Sequence, residues 1–103
     1  LADEQMKAMN PCIPRVPTLA ASQFAHVQGL GRMALPRVAA PTMVIYSLGD
    51  RTVRPDGALE AARLVGRQPV RVLKLERSCH VVTLDVDRER VASEIRQFFD
   101  ALA

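Results

Sequence analysis

Two short apolar runs, set apart by one segment of helix length, constrain this chain more than any other feature. They are Thr42-Met43-Val44-Ile45-Tyr46-Ser47 and Val70-Arg71-Val72-Leu73-Lys74-Leu75, both rich in β-forming residues. The first is almost continuously apolar and does not alternate cleanly, the pattern of a strand covered on both faces in a parallel sheet. Between the runs, Pro55 to about Val65 reads as a helix, with proline in its first turn and Gly66 just past its end. Strand, helix and strand at this spacing predict a right-handed βαβ crossover with parallel strands. Two parallel strands alone do not complete a core, because their faces need helices and their edges need partners. The pattern therefore predicts an α/β fold that forms the trailing part of a larger open sheet.

The flanking segments agree with that expectation. Residues Leu1 to Met9 are weakly amphipathic and helical, and Pro11, Pro14 and Pro17 predict a linker or irregular elbow after them. A helical pattern follows Pro17, with Leu19, Phe24, Val27 and Leu30 on one side, Gly29 and Gly31 loosening its end, and Pro36 closing it. Beyond the second strand, Glu76 to Leu84 form a loop. A last helix is expected from about Asp87 to Leu102, with Asp87 as N-cap and Val91, Ile95, Phe98 and Leu102 as its apolar stripe. The chain begins with Leu1, not Met, so the expectation is a piece cut or processed from something longer.

Composition removes several function classes. Of 103 residues, 49% are hydrophobic and 24% charged, which is globular composition and excludes disorder. The net charge of +3 comes from scattered arginines, with neither a basic run nor an aromatic stacking set, so no nucleic-acid partner is expected. Cys12 and Cys79 have no CxxC spacing and no neighbouring ligand cluster, so neither a metal site nor a disulfide framework is expected. No apolar run is long enough to span a membrane, and Asp3 and Glu4 stand where a signal peptide would carry basic residues. The cytoplasm is the default expectation for location.

In open parallel sheets functional groups gather on loops beyond the carboxyl ends of the strands. Asp50 follows the first strand and His80 follows the second. With neighbouring strands roughly 5 Å apart, an Asp50–His80 hydrogen bond is within easy reach. Such a bond would fix the imidazole tautomer and stabilise an imidazolium during acyl transfer. Each residue also has a plainer role to fill: Asp50 as a turn residue or helix cap, His80 as a loop side chain. Their joint placement on successive strand ends selects the functional reading. His26, with no acid beside it, is assigned to the surface or a packed edge. Ser78 is expected to bond within its loop, Cys79 to act as a small filler, Thr83 to bond within the histidine loop, and Asp85 or Asp87 to cap the last helix.

The stretch from Ala40 to Pro55, with Gly49-Asp50 at the strand end, resembles the α/β-hydrolase segment that presents the acid of a catalytic triad. Ser78-Cys79-His80-Val81-Val82-Thr83-Leu84-Asp85 resembles the segment with the triad histidine, and is similar to those of bacterial carboxylesterases and monoacylglycerol-lipase-like serine hydrolases. The 30-residue interval between acid and histidine fits the same group. The resemblance implies the end of a cap region and its following helix over residues 1–34, and a C-terminal hydrolase segment over residues 35–103. It implies Asp50 and His80 as catalytic residues, a small carboxylic ester as substrate and no cofactor. Cys79 departs from the pattern, which has glycine there, and would be strained if the backbone needed positive φ. The Gly-x-Ser-x-Gly nucleophile motif is absent: none of Ser22, Ser47, Ser78 and Ser93 has glycines at that spacing. Ser78 and Cys79 lie next to His80 in sequence, where side chains seldom meet productively. The nucleophile is thus expected upstream, and this chain alone is expected to be inactive. Dehalogenases and epoxide hydrolases of the same superfamily use an aspartate nucleophile; Thr83-Leu84-Asp85 favours the esterase and lipase-like branch. The alternative is a non-catalytic module that self-associates, as a homo-oligomer, through its open sheet edge.

Overall fold

A computed structural model describes residues 1–10 and 15–103. The linker expected around Pro11 and Pro14, and Cys12 with it, lie outside the described residues. The elements in order are α1 (Glu4–Met9), α2 (Thr18–Ala34), a 3₁₀ turn (Leu35–Arg37), β1 (Met43–Ser47), α3 (Pro55–Leu64), β2 (Arg71–Leu75) and α4 (Arg88–Asp100). The strands pair in parallel, with Met43 opposite Arg71 and Ser47 opposite Leu75. The arrangement belongs to the α/β class, with a two-stranded parallel sheet.

A buried apolar cluster lies on one face of this sheet. Leu73, Leu75 and Val91 are buried together, and Met43, Ile45, Val82 and Ile95 pack around them. The period of two along a strand explains the set: Ile45 pairs with Leu73 and Ser47 with Leu75, so these side chains share a face. Helix α4 covers it with Val91 and Ile95, two residues one helical turn apart. Helix α3 packs on β1. The coverage is uneven. β1 is half-buried along most of its length, whereas β2 buries Leu73 and Leu75 and leaves Val72 and Lys74 exposed.

Helix ends are set by different means. Asp3 caps α1 by accepting from the backbone N–H groups of Gln5 and Met6. Pro55 opens α3. Gly66 follows α3, but it is not in a left-handed conformation, since no glycine among the described residues has positive φ. Its smallness serves close packing instead: a Cβ there would collide with the carbonyl oxygen of Pro36. Asp87 stands at the N-cap position of α4 without making the expected cap bond to that helix. Its carboxylate turns to Ser78 instead, accepting from the Ser78 N–H at 3.1 Å and the Ser78 hydroxyl at 2.7 Å.

Helix α2 forms where the proline punctuation places it, yet buries none of its residues. Leu19, Phe24, Val27 and Leu30 are all exposed. The periodicity is present, and no other element of the described chain covers the stripe.

Burial yields a direct stability prediction. Leu75 is 0% exposed and Leu59 is 46% exposed. Leu75→Ala is expected to cost about 2–5 kcal/mol, since deleting buried methyl groups leaves a cavity, and Leu59→Ala less than about 1 kcal/mol. Urea unfolding followed by circular dichroism measures both; equal costs would contradict this core assignment.

Candidate functional site

The site grows from the level ends of the two strands. After Ser47 the chain turns at once: Asp50 N–H donates to the Ser47 carbonyl at 3.2 Å, and Leu48 N–H donates to the Leu75 carbonyl at 2.9 Å. The acid loop is therefore anchored to β2 as well as to its own strand. Asp50 then uses its two oxygens differently. Oδ1 accepts from the N–H groups of Thr52 at 2.8 Å and Val53 at 2.9 Å, closing the turn before α3. Oδ2 meets His80 Nδ1 at 2.9 Å. The turn role and the histidine-pairing role thus coexist on one side chain.

An ionised carboxylate only accepts, so His80 Nδ1 carries the proton and donates it to Oδ2. That assignment leaves Nε2 as the free basic nitrogen. The Asp50 side chain is 13% exposed and that of His80 49%. Burial pushes the Asp50 carboxyl upward, but the His80 bond and the Val53 and Thr52 N–H donors outweigh it and hold the group below the ordinary aspartate value.

The histidine loop is locked to the acid loop by close backbone approach. The buried Ser47 hydroxyl donates to the Ser78 carbonyl. A Cβ added at Gly49 would lie 2.6 Å from that same oxygen. Gly49 therefore serves steric closeness, and a larger residue would push the two loops apart. Ser78 bonds within the loop region as expected, through Asp87. Cys79 is a free, half-buried thiol. Its backbone φ is not positive, since no non-glycine residue among those described has positive φ, so the strain expected of a cysteine in a glycine position does not arise. Thr83 and His26 are exposed.

Sequence reasoning missed the role of Asp85. It does not cap α4 by its side chain. Its carboxylate is fully buried and accepts from the N–H groups of Cys79, Ala2, Asp3 and Val86. Burial raises its pKa, but these four donors dominate and hold it at about 2. Ala2 and Asp3 lie far away in sequence, so no local pattern announces the contact.

No group of three or more His, Cys, Asp or Glu among the described residues is placed to hold a metal ion, and no helix there is long and apolar enough to cross a membrane. A shallow groove between α2 and α3, lined by Gln28, Leu35, Ala61, Leu64 and the Arg32–Glu60 ion pair, does not include Asp50 or His80.

Comparison with known proteins gives one informative likeness. The chain is 26% identical over 85 residues, 82% of its length, to a thermostable monoacylglycerol lipase of Bacillus sp. (strain H-257). The matched region spans 34% of that lipase, so the chain corresponds to about a third of its curated relative. No protein-family model matches the chain.

Gly49→Ala should cost about 1–3 kcal/mol by overpacking and weaken the His80–Asp50 bond, read from loss of the His80 Nδ1–H resonance in NMR spectra; an undisturbed resonance would contradict the steric role. Asp85 has a lower pKa folded than unfolded, so the unfolded chain binds more protons at acid pH. Its contribution of about 2 kcal/mol is present above the ordinary aspartate value of about 4 and is lost as pH falls toward about 2. Urea midpoints across that window should fall with pH, and Asp85→Asn should flatten the slope.

Proposed function

We propose that this chain supplies the acid and the histidine of a serine-hydrolase triad whose nucleophile lies in another part of the parent protein. The observation that carries the reading is the 2.9 Å bond from His80 Nδ1 to Asp50 Oδ2, made between loops at the carboxyl ends of adjacent parallel strands. The lipase likeness and the α/β-hydrolase resemblance around both residues support it. In the proposed reaction a serine hydroxyl attacks the ester carbonyl. His80 Nε2 takes the serine proton as general base and returns it to the departing alcohol. Asp50 holds the imidazole in the Nδ1–H tautomer and stabilises the imidazolium. Water, activated by the same nitrogen, then releases the acid. The substrate class is a small carboxylic ester, and no cofactor enters the scheme. Residues 1–34 are proposed to be the end of the cap region and its following helix, and residues 35–103 the C-terminal segment of the hydrolase fold.

A second reading has its own observation. The sheet has two strands, and Phe24, Val27, Leu30 and Met33 of α2 are exposed. Apolar surface of this kind favours association, and the second reading is a non-catalytic module that self-associates through its sheet edge. Light scattering tests it: dimers or larger species are expected, and a monodisperse monomer would count against it.

The enzymatic reading is tested in the parent protein. His80→Ala and Asp50→Asn are each expected to lower kcat for a small carboxylic ester by about 10⁴-fold, with KM little changed. Wild-type turnover in His80→Ala would sink the assignment.

A further inference from the structure

We infer that Asp85 is the positioning residue for His80, setting the backbone from which the imidazole reaches Asp50; this rests on the triad reading above. The Asp85 carboxylate is 0% exposed. Oδ1 accepts from Ala2 N–H at 2.8 Å, Asp3 N–H at 2.8 Å and Val86 N–H at 2.9 Å. Oδ2 accepts from Cys79 N–H at 2.7 Å and shares the Ala2 N–H at 2.8 Å. One carboxylate thereby ties together three segments: the N-terminal strip before α1, the histidine loop and the entry to α4. Arg88 does not neutralise it directly, since its guanidinium pairs with the Asp3 carboxylate at 2.9 Å and the Asp85 backbone carbonyl at 3.1 Å.

Removing the carboxylate would leave the N–H groups of Ala2, Asp3, Cys79 and Val86 without their acceptor, a cost comparable to lost hydrogen bonds. What a carboxylate adds is geometry, because it accepts several N–H groups at once from fixed directions. The position of those donors is telling. Ser78 is held by Asp87 and Ser47, and Cys79 is held by Asp85, so both residues leading into His80 have fixed backbones. The His80 side chain itself is half exposed, and its orientation depends on that anchored backbone. Asp85 touches no reacting atom in this scheme and acts through Cys79 and His80.

The test uses the 103-residue chain and NMR spectra that correlate the His80 ring nitrogens with their protons, recorded above neutrality. In the wild-type chain His80 is expected as the Nδ1–H tautomer. In Asp85→Asn an amide nitrogen replaces one accepting oxygen, and His80 is expected to revert toward the Nε2–H form that free imidazole prefers. Arg88→Ala, which breaks the pair with Asp3 and leaves the Asp85 carboxylate intact, is expected to keep the Nδ1–H form. A folded Asp85→Asn chain with an unchanged His80 tautomer would overturn the inference while leaving the triad reading in place. A wild-type chain lacking the Nδ1–H form would overturn the triad reading first. If Asp85→Asn does not fold, hydrogen exchange of the wild-type Cys79 amide decides: protection like that of the β1–β2 ladder supports the inference, and exchange at free-loop rates overturns it.

Discussion

The parallel register of β1 and β2 is the constraint on which the rest depends. Ser47 sits opposite Leu75, so both strands end level and their loops leave the same edge of the sheet. From there Asp50 is three residues along one loop and His80 five along the other, short enough for the side chains to meet. A slip of one residue would turn every side chain of a strand to the opposite face. It would expose Leu73 and Leu75, remove the Ser47 hydroxyl from the Ser78 carbonyl and separate the acid from the histidine. Hydrophobic burial therefore fixes the register, and the register fixes the site.

Packing alone does not hold the loops beyond the strands. The buried apolar cluster is small, made of Leu73, Leu75 and Val91 with partly buried neighbours. Carboxylates take over where it ends. Asp3, Asp50, Asp85 and Asp87 each accept from backbone N–H groups in loops or at helix starts. A loop N–H buried without a partner costs free energy comparable to a lost hydrogen bond, so these acids both satisfy the backbone and select one loop conformation. Asp50 alone among them also takes an imidazole, that of His80. That places the candidate chemistry at a point already rigid for structural reasons.

Much of this was legible from the residues. The two β-rich runs, Pro55 and the stripe of α4 gave element positions within a residue or two, because periodicity and proline punctuation are local signals. The approach of Asp50 to His80 was legible for a topological reason: a βαβ crossover brings successive strand ends together. The four donors on Asp85 were not, since two of them come from Ala2 and Asp3, more than eighty residues away. The turn of Asp87 toward Ser78 also escaped the cap pattern, because a competing buried hydroxyl lies nine residues back. Gly49 and Gly66 look like turn glycines in sequence, yet both answer steric crowding by a distant carbonyl. Helix α2 shows the converse: its apolar spacing is a local signal, but Leu19, Phe24, Val27 and Leu30 are all exposed, and nothing local says what covers them.

In the proposed enzyme, His80 and Asp50 complete a triad with a serine carried elsewhere in the parent protein. Fluorophosphonate labelling of that parent, with the modified residue mapped by mass spectrometry, tests it most directly. One labelled serine is expected within a Gly-x-Ser-x-Gly sequence on the N-terminal side of Asp50, with loss of labelling in His80→Ala. Labelling unaffected by that substitution, or confined to Ser78 or Cys79, would contradict it.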